Sequence, residues 1–202
     1  MDILQPNYTW SYGATMRQRT DYIVLHHVGA NGSFTPEQIH QMHRANGWRG
    51  IGYNFYVRRD GTIYHGREEN AAGGHTKGYN SRSVGVCFEG NFENETMSEA
   101  QIKAGQALVK YLKYQYPRAR VARHRDLNAT ACPGKNFPFD KITNPVEAVP
   151  DEPADWAKEA FDWAIPNGII KGDERGMRYN DPVTRQEFIT MLYRYHNMNK
   201  EV

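Results

Sequence analysis

The run from Arg123 to Gly134 places an imidazole, His124, and a thiol, Cys132, eight positions apart beside Asn128, Pro133 and Gly134. Both groups are zinc donors, but the spacing is not that of a structural zinc finger, which takes four ligands in close pairs. A catalytic zinc takes three protein ligands and leaves one position for water, where water can be activated and a carbonyl polarised. His124 and Cys132 would be two of the three, so the third must come from a distant part of the chain.

The apolar run Tyr22-Ile23-Val24-Leu25 ends in His26-His27 and reads as a buried strand. Successive strand side chains point to opposite faces, so only one of these histidines can face the His124–Cys132 loop. Tyr22, Val24 and His26 share one face and Ile23, Leu25 and His27 the other, and spacing does not choose between them. Each residue alone has a plainer reading: a lone Cys is a small core hydrophobe, and an isolated His is a hydrogen-bonded structural residue. The pattern as a whole argues for metal.

These residues occur with Gly52-Tyr53-Asn54-Phe55, Arg59-Asp60-Gly61-Thr62-Ile63, Gly66-Arg67, Gly74-His75-Thr76-Lys77-Gly78-Tyr79-Asn80 and Val84-Gly85-Val86-Cys87. In that order and spacing, over about residues 20–140, the chain resembles the type 2 N-acetylmuramoyl-L-alanine amidases, a family that includes phage lysozyme-like amidases and peptidoglycan-recognition proteins. The resemblance implies an α/β fold with a mixed central β-sheet flanked by helices, and one zinc per chain held by His26, His124 and Cys132. It implies hydrolysis of the amide joining the lactyl group of N-acetylmuramic acid to L-alanine in bacterial peptidoglycan.

Tyr53 matches the family's active-site tyrosine, whose phenol can donate to an oxyanion or position water; its alternative is a core strand aromatic. Thr130, two residues before Cys132, stands where some phage relatives carry lysine and many recognition-type amidases carry threonine. A hydroxyl cannot replace a cation, so the oxyanion is expected to lean on zinc and Tyr53. His75 and Asn80 match a segment that lines the glycan-peptide groove in relatives, with satisfaction of local turns as the alternative. Trp48, between Gly47 and Arg49-Gly50, offers a stacking face or simply packs.

Several elements must position these groups. Residues 1–20 read as an extended lead-in, and Gly29-Ala30-Asn31-Gly32 as a turn after the first main strand. Thr35-Pro36-Glu37-Gln38 is a capping box with proline at the first helical position, so a helix follows, carrying Ile39, Met42 and His43 and ending near Asn46-Gly47. Tyr53–Val57 and Thr62–His65 read as strands joined through Asp60-Gly61. The glycine-rich run 71–83 reads as a site wall. Ser98-Glu99-Ala100-Gln101 is a second capping box opening a helix to about Tyr116, with Ile102, Leu108, Val109 and Leu112 on one face, before a short strand near Ala119–Ala122.

The expected organisation is a zinc amidase domain over residues 1–142, a linker over 143–153 and a small helical module over 154–202. Trp156, Ala160, Trp163 and Ala164 recur at helical spacing, Gly168 can stop that helix, and Thr184-Arg185-Gln186-Glu187 opens another carrying Phe188, Leu192 and Tyr195. The tryptophans are expected in the core. Through Trp163-Ala164-Ile165, Asn167 to Gly172, Asn180 to Arg185 and Met191 to Tyr195 the module resembles a single S-layer homology repeat. That resemblance implies Arg185 as a contact to acidic wall polysaccharide, and three copies packed together, hence a homotrimer.

Net charge is +2. Residues 151–202 hold seven Lys/Arg against ten Asp/Glu, leaving eighteen against thirteen before them. A modest basic surplus suits an anionic polymer such as a wall, and is too sparse for a nucleic-acid stripe. With two cysteines, and Cys132 assigned to metal, Cys87 is left as a buried free thiol rather than part of a disulfide framework. No basic flank precedes an apolar core at Met1-Asp2-Ile3-Leu4, so no signal peptide is expected, nor any membrane span. The expectation is a phage or prophage endolysin, made in the host cytoplasm and acting on the wall after release. Its rivals are a host autolysin, a non-catalytic recognition module that would lack the cysteine, and a wall-anchoring protein that would carry several tandem repeats.

Overall fold

The computed structural model describes residues 1–144, 152–173, 176–179 and 182–198, and the chain divides into two compact units, Met1–Val146 and Glu147–Val202. Most of the expected linker lies outside the described residues. The first unit runs β1 (Ile3–Leu4), β2 (Tyr22–His27), α1 (Pro36–Ala45), β3 (Phe55–Val57), β4 (Ile63–His65), β5 (Ser83–Phe88), α2 (Glu99–Gln115), β6 (Arg120–Arg123) and α3 (Phe139–Thr143). The second holds α4 (Lys158–Ala164) and α5 (Arg185–Met198).

The strands form one mixed sheet in the order β1-β4-β3-β5-β2-β6. β2 pairs in parallel with both β5 and β6, which is why it reads as a nearly unbroken apolar run. β3 and β4 are antiparallel, joined through Gly61 at φ 88°, a left-handed conformation that glycine adopts freely. Strand parity divides the core. Ile23, Leu25, Val84, Val86 and Phe88 meet Ile102, Leu108, Val109 and Leu112 of α2. On the opposite face Tyr56 and Cys87 meet Ile39 of α1, Ile51 and the partly buried Tyr53. Each aliphatic side chain so enclosed stabilises the fold by about 1.5–3 kcal/mol, and Cys87 is a buried free thiol.

Three local expectations change. α1 has its capping box, with Thr35 and Gln38 exchanging hydrogen bonds, but its inner stripe is Pro36, Ile39 and His40, while Met42 is 47% exposed. Ser98 caps α2 by accepting the Gln101 amide at 3.1 Å, yet Gln101 does not return the bond. Its side-chain amide is buried and donates to the carbonyls of Val57 and Glu89, at 3.0 Å each, because carbonyls sealed under a helix need a donor. The strand expected from Tyr53 starts at Phe55; the Asn54 side chain takes over from the ladder, accepting from Gly85 N–H at 3.0 Å and donating to Glu68 and Ala71 carbonyls.

The lead-in is extended and firmly attached. β1 pairs with β4, Met16 bridges Ala71, and Tyr8 stacks on His40 with ring centroids 4.4 Å apart.

In the second unit, Thr184 and Glu187 form a reciprocal cap on α5, and Gly168 at φ 67° follows α4. The tryptophans are not core: Trp156 is 89% and Trp163 47% exposed, while among the described residues of this unit the buried positions are Ala157, Ala164 and Ile169. A unit of this size has too little interior to enclose two indoles, so small side chains take the inner positions. Phe188, Ile189, Leu192, Tyr193 and Tyr195 of α5 are also exposed. Among the described residues no helix is long and apolar enough to cross a membrane.

Candidate metal centre and substrate cleft

β2 and β6 are parallel neighbours, so residues just past their C-terminal ends lie side by side, the usual place for a site in such a sheet. His26 is the next-to-last residue of β2, and His124 opens the 3-10 turn that directly follows β6. Cys132 arrives from the following loop. One ligand atom from each of these residues lies within 4.8 Å of the others, with Cys132 Sγ 3.7 Å from His26 Nδ1. His27 turns to the opposite face, where its Nδ1 accepts the Phe92 amide at 3.1 Å. The geometry therefore puts His26, and not His27, beside His124 and Cys132. His26→Ala is expected to remove bound metal, whereas His27→Ala should keep it and lower only the melting temperature; metal content falling in the His27 variant alone would invert the assignment.

The His26 and His124 rings are held from behind. His26 Nε2 lies 3.0 Å from His75 Nδ1 and 3.3 Å from Thr76 Oγ1. His75 in turn meets Thr76 Oγ1 at 2.8 Å and, through Nε2, Ser83 Oγ at 3.4 Å. His124 Nε2 lies 3.2 Å from Asn128 Oδ1. Such outer partners fix ring orientation and tautomer for a metal. Gly85 makes the niche: a Cβ there would lie 2.5 Å from the His75 ring. A glycine inside a strand signals close approach of another group, and that was the available sequence sign of His75's position.

Burial, helped by His75 and His124, pushes the His26 pKa well below its ordinary value. Burial also takes His75 down to about 3 and lowers His124 against the opposing bond from Asn128. All three are neutral at pH 7, the form that binds metal. Burial pushes the Cys132 thiol up to about 11, opposed by the His27 amide and the Arg125 charge. A thiolate in this position needs a bound cation. Two neutral imidazoles and one thiol, with no fourth His, Cys, Asp or Glu in the cluster among the described residues, fit a three-ligand zinc site with one open position.

The Tyr53 ring lies 5.3 Å from that of His26. Burial, then the neighbouring Cys87 and Cys132, raises its pKa, so the phenol keeps its proton and can donate it. Tyr53→Phe is expected to retain metal and lose about 10- to 1000-fold in rate, the range for removing one oxyanion donor; equal turnover with equal metal content would return Tyr53 to a packing role.

A cleft of about 750 Å³ beside the centre is lined by Trp48, His75, Asn80, His124 and Thr130, and by Tyr12, Arg67, Lys77 and Asn128. Trp48 is 42% exposed and lies 4.6 Å from the His43 ring. Asn80 also builds the wall, its Oδ1 accepting the amides of His75 and Thr76 at 2.9 and 2.8 Å. Thr130 Oγ1 accepts the Cys132 amide at 3.2 Å and so shapes the ligand loop. Tyr12 is not marked by any sequence motif, and Arg67 only as part of Gly66-Arg67, with no role attached. Arg67 is buried, donating to the carbonyls of Ile51 at 2.7 Å and Ala72 at 2.8 Å, and Arg49 holds the Tyr12 carbonyl at 3.0 Å. Arg185 is exposed in the first turn of α5, in the second unit, outside this cluster.

A family model described as N-acetylmuramoyl-L-alanine amidase matches residues 16–135. The endolysin of Klebsiella phage KP32 is 40% identical over 126 residues, spanning 59% of this chain and 83% of that protein. The endolysin of Escherichia phage T7 is 35% identical over 124 residues, spanning 58% and 82%. Among solved structures, the N-acetylmuramoyl-L-alanine amidase LysC from Clostridium intestinale URNW superposes with a TM-score of 0.68 at 44% identity, over 70% of this chain and 95% of that one.

Proposed function

Since the chain belongs to the N-acetylmuramoyl-L-alanine amidase family, we propose that it is a zinc-dependent endolysin that cleaves the bond between N-acetylmuramic acid and L-alanine of the stem peptide. It is a peptidoglycan amidase. The convergence of His26, His124 and Cys132, of which His124 also lines the cleft, carries the zinc reading. Zinc held there, one per chain, supplies carbonyl polarisation and water activation. His75 and Thr76 hold the His26 ring, and Asn128 holds His124. Tyr53 donates its phenolic hydrogen to the oxygen that gains charge as the amide opens. Trp48, His75 and Asn80 contribute to the wall on which the glycan and peptide lie, and Thr130 keeps the Cys132 loop in shape. The decisive experiment digests purified muropeptides with and without a chelator and identifies the cleaved bond by mass. Cleavage elsewhere would refute the bond assignment, and full activity after metal removal would refute the zinc requirement.

The presence of Cys132 favours this reading over a recognition module that binds without cutting. A phage or prophage origin, with synthesis in the host cytoplasm and action on the wall after release, fits the likeness to phage endolysins better than a host autolysin does. For the second unit the reading is a single S-layer-homology-like module that binds secondary wall polysaccharide through Arg185. The exposed Trp156, Trp163, Phe188 and Leu192 support its association into a homotrimer, which multiplies weak wall contacts by avidity. Light scattering is expected to give a trimer for the full chain and a monomer for a version ending near Ala148; monomers in both cases would exclude the trimer.

A further inference from the structure

We propose that Arg125 is a positioning residue for the Cys132 ligand: it clasps the turn that carries Cys132 and reserves one buried N–H for the sulfur when that sulfur is a metal-bound thiolate. The inference rests on the zinc reading above.

Arg125 follows His124 directly, in the 3-10 turn His124–Asp126, so the same short segment supplies one ligand and reaches toward another. Its backbone N–H donates to the Cys132 carbonyl at 2.9 Å. Its Nη2 donates to the Gly134 carbonyl at 2.5 Å. The side chain thus bridges to the turn Cys132-Pro133-Gly134, and its charge acts on the Cys132 sulfur. Its Nε is the one buried side-chain nitrogen or oxygen with no hydrogen-bond partner among the described residues.

Buried polar atoms are almost always satisfied, and an exception calls for a missing partner. A thiol sulfur is a weak acceptor, whereas an ionised acceptor makes a shorter and stronger bond to a guanidinium. Metal binding converts one into the other. With a metal held there, the Cys132 thiol would give up its proton to solvent with no change of oxidation state, and its sulfur would become an anionic acceptor. The sulfur then presents the charge that the Arg125 Nε–H lacks. Arginine suits this task because its planar fork can clasp a carbonyl with one N–H while directing another elsewhere.

The test uses the full-length protein. Metal content of the wild type is measured first, since a protein that binds no zinc refutes the zinc reading itself. Wild type, Arg125→Gln and Arg125→Lys are then loaded with cobalt(II) to read the sulfur-to-cobalt absorption band, and with zinc to follow its release to a colorimetric chelator. Loss of a hydrogen bond to the thiolate shifts the band to longer wavelength, and loss of an outer partner weakens metal binding about 10- to 100-fold. Arg125→Gln is expected to show both effects, and Arg125→Lys, which keeps the charge, to recover part of the release rate. A clasp on the Gly134 carbonyl alone would not move the band, so faster release with an unmoved band overturns the proposal, as does wild-type behaviour in both respects. Should Arg125→Gln fail to fold, the band of Arg125→Lys decides: it must differ from the wild type.

Discussion

Cys132→Ser is expected to lose bound zinc and, with it, muropeptide cleavage to the level of the chelated wild type. A neutral hydroxyl is a poor zinc donor, and the two remaining ligands, His26 and His124, would have to hold the ion alone. The loss in metal affinity should exceed the roughly 10- to 100-fold typical of removing only an outer partner. Stability should follow. A ligand that binds only the folded chain adds about 2.7 kcal/mol when present at a hundredfold its Kd, so zinc should raise the melting temperature of the wild type and leave that of Cys132→Ser unchanged. Elemental analysis, a melting curve with and without zinc, and the cleavage assay check the three parts together. A metal-free Cys132→Ser protein with full activity would end the zinc mechanism.

Glu89→Ala is expected to cost about 3–5 kcal/mol, the range for removing one partner of a buried charge pair, and to lower the melting temperature by roughly 10 °C. Glu89 lies just past β5 with its side chain fully buried. Its carboxylate accepts from Ser33 Oγ at 2.7 Å and the Phe34 amide at 2.8 Å, both ahead of α1. It also accepts from Arg58 Nε at 2.7 Å and the Arg59 amide at 3.0 Å, both past β3. One side chain therefore ties three segments together, and alanine would leave all four donors without it. Burial alone would raise the Glu89 pKa, but Ser33, Arg58 and the two amides outweigh it and hold the carboxyl below its ordinary value. The folded state thus binds the proton less tightly than the unfolded chain does. Its contribution is complete above the ordinary glutamate pKa of about 4.3 and is lost as pH falls through the lower folded value. Glu89→Gln should accordingly flatten the acid limb of the stability curve, measured by urea unfolding from neutral pH downward, and an unchanged acid limb would remove Glu89 as its source.

The sequence by itself determined the short-range features. Thr35 and Gln38 specify the start of α1 because both capping partners lie within one turn, and Asp60-Gly61 specifies the hairpin because a positive φ is a property of the residue itself. The alternation in Tyr22–His27 established that only one histidine could face the metal loop, and the resemblance indicated which. Tertiary structure placed His26 beside His124, through the register of β2 against β6. It also decided where polar side chains spend their hydrogen bonds: Gln101 leaves its capping box for two sealed carbonyls, and Asn54 replaces part of a strand ladder. Tyr12 reaches the cleft because the lead-in is anchored by Arg49 at the Tyr12 carbonyl and by Met16 at Ala71, about 55 residues along the chain. His75 stands behind His26 only because Gly85, on a neighbouring strand, has no side chain to occupy that space. The tryptophans of the second unit repeat at helical spacing, but periodicity states which residues share a face and not whether anything covers it. Each of these outcomes depends on a partner distant in sequence, and local pattern carries no information about which partner the fold will supply.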